Sequence, residues 1–300
     1  MRIAATHSTL YRFDHPVHLE PHVFRLRPRS DASQRLLSYA LELAPAPAGR
    51  TECLDQDGNS VLYAWFDAAV SELAVRSAFQ VETLRENPFD FLLAGPGMLS
   101  VPVSFTGPLT AALGPYLRET GSPEVGAYAA SVAARSGYRT LDFLTALNRR
   151  LSEDFQQILR PTGPPEPPQV TLARRAGSCR DMAVLFCAAS RTVGIPARFV
   201  SGYQSGAAGP EQPQMHAWAE VYLDGAGWRG YDPSAGLAVS TGYVAVAAAA
   251  DPSLASPVSG SFRGSARSEI EFTISLEASA DSTPPYSRAA HSTARQEQSS

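Results

Sequence analysis

The sequence predicts an α+β fold: an antiparallel β-sandwich at the amino terminus, followed by a core in which a helix packs on an antiparallel sheet. Three observations carry this expectation. Residues 1–86 consist mostly of alternating runs rich in β-branched and aromatic side chains. Residues 87–123 are dense in proline and glycine, which interrupts regular elements. Over 124–278 helical periodicity comes first and strand-like alternation returns after it. At roughly 100 to 200 residues per domain, a chain of 300 residues accommodates both units and a connection between them.

In the first unit, Arg2–Arg12, His18–Arg27, Leu36–Leu43, Val61–Phe66 and Glu72–Leu84 read as strands. Asp57-Gly58-Asn59 is expected to turn the chain between two of them, because Gly and Asn tolerate the positive φ of a tight hairpin. Pro88, Gly95, Pro96, Gly97, Pro102, Gly107 and Pro108 then mark 87–123 as an inter-domain linker. Two helical patterns follow, one over Val125–Arg135 and a stronger one from Thr140, whose hydroxyl is expected to cap, through Leu144, Leu147 and Leu151 to Phe155. A proline-dense loop spans Pro161–Pro168. Ser178–Val193 places Met182, Leu185, Ala188 and Ala189 at helical offsets, with Gly194 and Pro196 after the stop, and is expected to be a buried helix. Ala197–Tyr203, His216–Leu223 and Gly227–Asp232 read as strands, the last two joined at Asp224-Gly225, and Glu269–Glu277 as the strand that closes the fold. The polar residues 279–300 are expected to form a disordered tail.

Apolar residues make up 44% and charged residues 18%, a globular rather than a disordered balance. With 25 basic and 29 acidic residues there is no basic excess to neutralise a phosphate backbone or an anionic leaflet. Neither nucleic acid nor a membrane is therefore an expected partner. The chain contains no lysine, which excludes a Walker-type phosphate loop and Schiff-base catalysis. The first residues lack the apolar stretch of a secretory signal, and no run approaches the ~18 apolar residues of a membrane span. A cytoplasmic protein is expected, in which the three irregularly spaced cysteines stay reduced.

Of those cysteines only Cys179 begins a helix, where the dipole and free amides favour a thiolate. Cys187 lies two turns further along the same apolar helix and reads as core, and Cys53 is given no role. A thiol nucleophile needs a base, and the base needs a third group to hold its tautomer. His216 is the only histidine between Cys179 and the tail. It opens one strand of a hairpin whose other strand ends at Asp232, so the carboxylate is expected beside the ring.

These residues sit in longer motifs. Gly177-Ser178-Cys179-Arg180-Asp181, Arg191 through Tyr203, His216-Ala-Trp-Ala-Glu-Val-Tyr222 and Gly227-Trp-Arg-Gly-Tyr-Asp-Pro233 resemble the bacterial transglutaminase-like superfamily. The resemblance implies a papain-like core with Cys179, His216 and Asp232 as its triad. Arg27-Pro28, the Gln34 strand and Asp57-Gly58-Asn59 are similar to the β-rich domain that often precedes this core in bacterial proteins. Arg180, Met182 and Val184 depart from the family pattern. Arg180 sets a permanent cation one residue from the thiol, which favours an anionic substrate group. No Trp lies between Trp65 and Trp218 to help hold an oxyanion, which leaves Gln156 and Gln157 as possible donors. Asp181 is expected to order the helix start.

Three other patterns lead nowhere. Gly225, Gly227 and Gly230 satisfy G-x-G-x-x-G on a hairpin with no helix to bind a dinucleotide phosphate. Asp55, Asp57 and Asn59 imitate a calcium loop but Ser60 and Phe66 stand where its glycine and bidentate glutamate belong. Cys179, Cys187 and His216 lack zinc-ligand spacing, and no cofactor is expected. The expected activity is acyl transfer from amide bonds of proteins or peptides through a thioester, by hydrolysis as a cysteine protease or amidase. The alternatives are crosslinking transfer to an amine and a catalytically silent scaffold.

Overall fold

The computed structural model describes residues 1–118, 122–206 and 214–280, so nearly all of the expected tail lies outside the described residues. The amino-terminal strands are β1 (Arg2–Leu19), β2 (His22–Phe24), β3 (Gln34–Ala44), β4 (Gly49–Leu54), β5 (Ser60–Trp65) and β6 (Ala69–Thr83). Alternation decides their faces. Ile3, Ala5, His7 and Thr9 on β1, and Leu73, Val75, Ser77, Phe79 and Val81 on β6, are buried at every second position. Phe13, Val17, Leu19, Leu73 and Val75 of one sheet meet Phe24, Leu62 and Ala64 of the other, which makes the expected sandwich. Gly58 turns the chain at a φ of 75°. The turn is a plain one, in which Asp55 Oδ1 accepts from the amides of Asp57 and Asn59 at 3.0 and 2.9 Å.

Residues 87–123 are more than a linker. They include α1 (Pro108–Leu117), and Met98, Val101 and Val103 enter the core of the second unit. Proline and glycine break the local periodicity here without preventing burial. Val103 donates its amide to Val193 O at 2.9 Å, and a Cβ on Gly194 would come within 2.3 Å of Val103 O. Gly194 thus ends a helix at φ 76° and also admits the backbone of this segment.

The second unit comprises α2 (Pro123–Arg135), α3 (Thr140–Asp154), β7 (Gln156–Gln157), α4 (Pro168–Arg174), β8 (Ala176–Gly177) and α5 (Cys179–Thr192). Strands β9 (Ala197–Gln204), β10 (His216–Leu223), β11 (Gly227–Asp232), β12 (Leu237–Ala238) and β13 (Tyr243–Ala249) follow, in the antiparallel order β12-β11-β10-β9-β13. α5 is the centre of this unit. Its Met182, Leu185, Phe186 and Ala189 pack against Val132, Phe143, Leu147 and Leu151 of α2 and α3 and against Ala219 and Val221 of β10. Thr140 is not the cap of α3 but its first residue, with its hydroxyl buried and unpartnered. Pairing of Val101 N with Tyr138 O and of Thr140 N with Leu99 O pulls the chain into the helix one residue early.

The chain then returns to the sandwich through β14 (Val258–Ser259), β15 (Phe262–Arg263) and β16 (Ser268–Ser279). The last strand does not join the β9–β13 sheet. It lies antiparallel to β1 from Arg2↔Ser279 to Phe13↔Ser268, which sets Ile270, Ile274 and Leu276 opposite the inward residues Tyr11, His7 and Ala5. By sheet membership the second unit therefore ends with β13, short of residue 278.

The two units share a core. Ile3, Ala5, Phe79, Val81 and Ile274 of the sandwich pack on Tyr203, Val244 and Val246 of the second sheet. β13 is the edge of that sheet, and two buried side-chain amides complete it. Gln34 Nε2 and Oε1 pair with the carbonyl and amide of Ala245 at 2.9 and 2.8 Å. Asn59 Nδ2 and Oδ1 pair with those of Ala248 at 2.9 and 2.8 Å. An open row of backbone donors and acceptors is thereby satisfied without another strand. No helix among the described residues is long and apolar enough to cross a membrane.

Candidate active site

The motif around Cys179 is a helix start built from its neighbours. A Cβ on Gly177 would meet Asp181 Cβ at 2.9 Å and Thr171 Cγ2 at 3.0 Å, so only glycine fits there. Ser178 is the N-cap, and its amide and hydroxyl donate to Asp181 Oδ2 at 2.8 and 2.7 Å in a capping box. Asp181 Oδ1 accepts from the Glu166 amide at 2.7 Å and from Arg160 at 2.5 Å. Burial penalises this carboxylate, yet those donors and the Arg160 charge hold its pKa below the ordinary value. Asp181 orders the helix start, as its position in the sequence suggests, and also ties the preceding loop to it.

Cys179 is half-buried at the first turn of α5, within hydrogen-bonding reach of the His216 ring and the Ala217 amide. Burial pushes the thiol pKa up; the His216 contact and the amide outweigh it, and the net shift is downward. His216 opens β10, with its Nε2 2.7 Å from Asp232 Oδ2. That leaves Nδ1 for the thiol. Desolvation opposes a charged ring, but Asp232 on one side and Cys179 on the other raise its pKa above the ordinary histidine value. The structure thus sets His216 against Asp232 and brings Cys179 near the ring.

Asp232 is fully buried. Its pKa is nonetheless lowered, since the desolvation cost is exceeded by His216, Ser234 and Tyr243. Ser234 donates to Oδ1 through its amide at 3.0 Å and its hydroxyl at 2.7 Å, and the Tyr243 hydroxyl donates to Oδ2 at 2.9 Å. Tyr243 in turn accepts from Gln204 Nε2 at 2.9 Å. Gly202, opposite His216 in register, makes room for this arrangement: a Cβ there would lie 2.7 Å from the Trp218 ring. Sequence reasoning missed Ser234 and Tyr243. The Asp-Pro-Ser-Ala order carried an Asx-turn signal for Ser234, whereas Tyr243 reaches the site from β13, two sheet neighbours away from β10.

The remaining candidates fall elsewhere. Cys187 is buried inside α5, its thiol pushed up to about 12 by desolvation, and Cys53 is exposed on β4. Gly225, Gly227 and Gly230 belong to the β10–β11 hairpin. Gln156 and Gln157 are exposed on β7, which runs parallel to β8 and so passes beside Gly177, two residues before the thiol. Arg180 does not project freely beside Cys179: its guanidinium donates to the carbonyls of Arg160 and Thr162.

A partly exposed thiol at a helix start, a histidine and a buried carboxylate, set between a helical layer and an antiparallel sheet, make the kind of arrangement found in thiol enzymes. Residues 3–82 match the bacterial transglutaminase-like N-terminal region, and residues 127–233 match the transglutaminase-like superfamily. Residues 127–233 thus belong to the transglutaminase-like superfamily. An uncharacterized protein of Mycobacterium leprae is 25% identical over 293 residues, covering 92% of this chain and 98% of the relative. A protein-glutamine gamma-glutamyltransferase of Pseudomonas aeruginosa is 34% identical over 97 residues, which are 29% of this chain and 14% of that protein. The crystal structure of a candidate cysteine protease from Cytophaga hutchinsonii has the same fold, with a TM-score of 0.69 at 22% identity, covering 96% of this chain and 94% of that one.

Proposed function

We propose that the protein cleaves amide bonds of peptides or proteins by way of a thioester on Cys179, with water as the acyl acceptor. The observation that carries this reading is the 2.7 Å contact of His216 Nε2 with the buried Asp232, on the strand that faces Cys179 at the start of α5. The downward shift of the thiol and the upward shift of the imidazole both favour the thiolate–imidazolium form of the pair. The thiolate attacks the amide carbonyl, and the amide at the start of α5 faces the negative oxygen that develops. Collapse of the tetrahedral adduct breaks the C–N bond as imidazolium gives its proton to the departing amine. The released ring then takes a proton from water, whose oxygen attacks the thioester. Thiolate leaves, the carboxylic acid departs, and the ion pair is restored. Asp232 holds the ring orientation and its positive charge throughout.

A second reading, transfer of the acyl group to a primary amine, draws on the likeness to the Pseudomonas aeruginosa gamma-glutamyltransferase over 97 residues. Amine and ammonia release from peptide and glutaminyl amides, measured with and without an added primary amine, separates the two. Hydrolysis predicts release that the added amine leaves unchanged, with no amide product. Formation of the new amide assigns transfer, and no release by either route, with Cys179 alkylating like a free thiol, assigns a silent scaffold.

A further inference from the structure

The segment Ile158–Thr162 is fastened at three points to the residues that flank Cys179. Ile158 N donates to Gly177 O at 3.0 Å. Arg160 reaches across to Asp181 at 2.5 Å. Arg180, the residue after the thiol, returns its guanidinium to the carbonyls of Arg160 and Thr162. The segment therefore brackets positions 177 to 181 with Cys179 in the middle. Both arginines spend hydrogen bonds on holding it, and at its start it presents two aliphatic side chains outward: Ile158 is 39% and Leu159 63% exposed. Large aliphatic side chains left in water beside a nucleophile, on a strand of chain fixed by charged staples, make a surface that gains from being covered.

We infer that Ile158 and Leu159 form one wall of the acyl-binding cleft and select an apolar side chain next to the attacked amide, with Arg180 a positioning residue for that wall. This rests on the thiol-enzyme reading and reverses the expectation that Arg180 recruits an anion. The occupant is a peptide segment carrying a Leu-like or aromatic residue, because Ile158 pairs with Gly177 two residues before the thiol and Arg160 and Arg180 are engaged by the protein's own oxygens.

Alkylation rates of Cys179 test the inference without requiring turnover. Iodoacetate, iodoacetamide and N-hexyl iodoacetamide react with one thiolate, so the ratios of their rates, referred to the same ratios for free cysteine, report the surroundings of the thiol. In the whole protein N-hexyl iodoacetamide is expected to gain about tenfold over iodoacetamide, and Leu159→Ser to remove most of that gain. Arg180→Gln is expected to reduce the same gain by loosening the wall. A preference for iodoacetate that disappears in Arg180→Gln would overturn the inference and make Arg180 an anion reader. Equal ratios for all three reagents would overturn it as well. Failure of amide cleavage, with the apolar preference intact, would instead count against the proposed activity alone.

Discussion

The Tyr243 hydroxyl donates to the same Asp232 oxygen that meets His216, at 2.9 Å against 2.7 Å for the ring nitrogen. Two donors on one buried oxygen keep the carboxylate ionised and fix where it points. Tyr243→Phe removes one of them and leaves the ring in place. A loss of about 1.5 to 3 kcal/mol in urea unfolding is expected, with kcat for peptide amides reduced about tenfold. Unchanged kcat in a stable Phe variant would show that Tyr243 only fills space.

The thiolate and imidazolium coexist above the lowered pKa of Cys179 and below the raised pKa of His216. Alkylation of Cys179 should therefore begin at lower pH than for free cysteine. In His216→Gln the charge and hydrogen bond that depress the thiol are gone while burial remains, so the midpoint should move upward past its wild-type position. A pH profile of iodoacetamide labelling, read by mass at Cys179, gives both midpoints.

His7 sits in the shared core of the two units, with Nδ1 2.9 Å from Tyr203 Oη and Nε2 3.1 Å from Thr9 Oγ1. Desolvation lowers its pKa from 6.5 to about 4. Because the folded value lies below the unfolded one, the unfolded chain binds more protons between the two, and stability falls as pH drops from about 6.5 toward 4. The drop amounts to roughly 3 kcal/mol. His7→Gln should flatten this part of the stability curve, as measured by urea unfolding at pH 7 and pH 5.

Asn59 closes the edge of β13 at Ala248. Truncation to Ala leaves a buried amide and carbonyl without partners, at a cost of about 2 to 4 kcal/mol. Since β13 also carries Tyr243, activity should fall along with stability. Asn59→Asp keeps the acceptor for Ala248 N but turns a carboxylate oxygen on Asp55 Oδ2 and Ala248 O, so it should not recover the stability. An Ala variant as stable as the parent would mean that β13 is held by its apolar contacts alone.

The elements and the line of three residues were legible because their signals are local. Gly177-Ser178-Cys179 announces a helix start, Asp224-Gly225 announces a hairpin, and the hairpin sets Asp232 near His216. What was not legible depends on pairing between distant segments. Nothing near Tyr243 says that it reaches Asp232, nothing in the Ile270–Leu276 alternation says which sheet it joins, and the glycines around Met98, Val101 and Val103 conceal residues that the helical layer buries. Arg180 misled in the same way: its charge is read from its letter, but the carbonyls that absorb it belong to Arg160 and Thr162.

The antiparallel register Arg2↔Ser279 makes neighbours of the two ends of the described chain, with everything from α1 to β13 inserted between strands of one sandwich. Such a topology acts as a clasp. A cut that frees β16 strips β1 of one of its two flanking strands along twelve register positions, and it also withdraws Ile274 from the seam where Tyr203 and Val246 lie. The first 86 residues thus lack one strand of their own sheet, and proteolytic nicking near residue 265 should loosen the second unit as well as the sandwich.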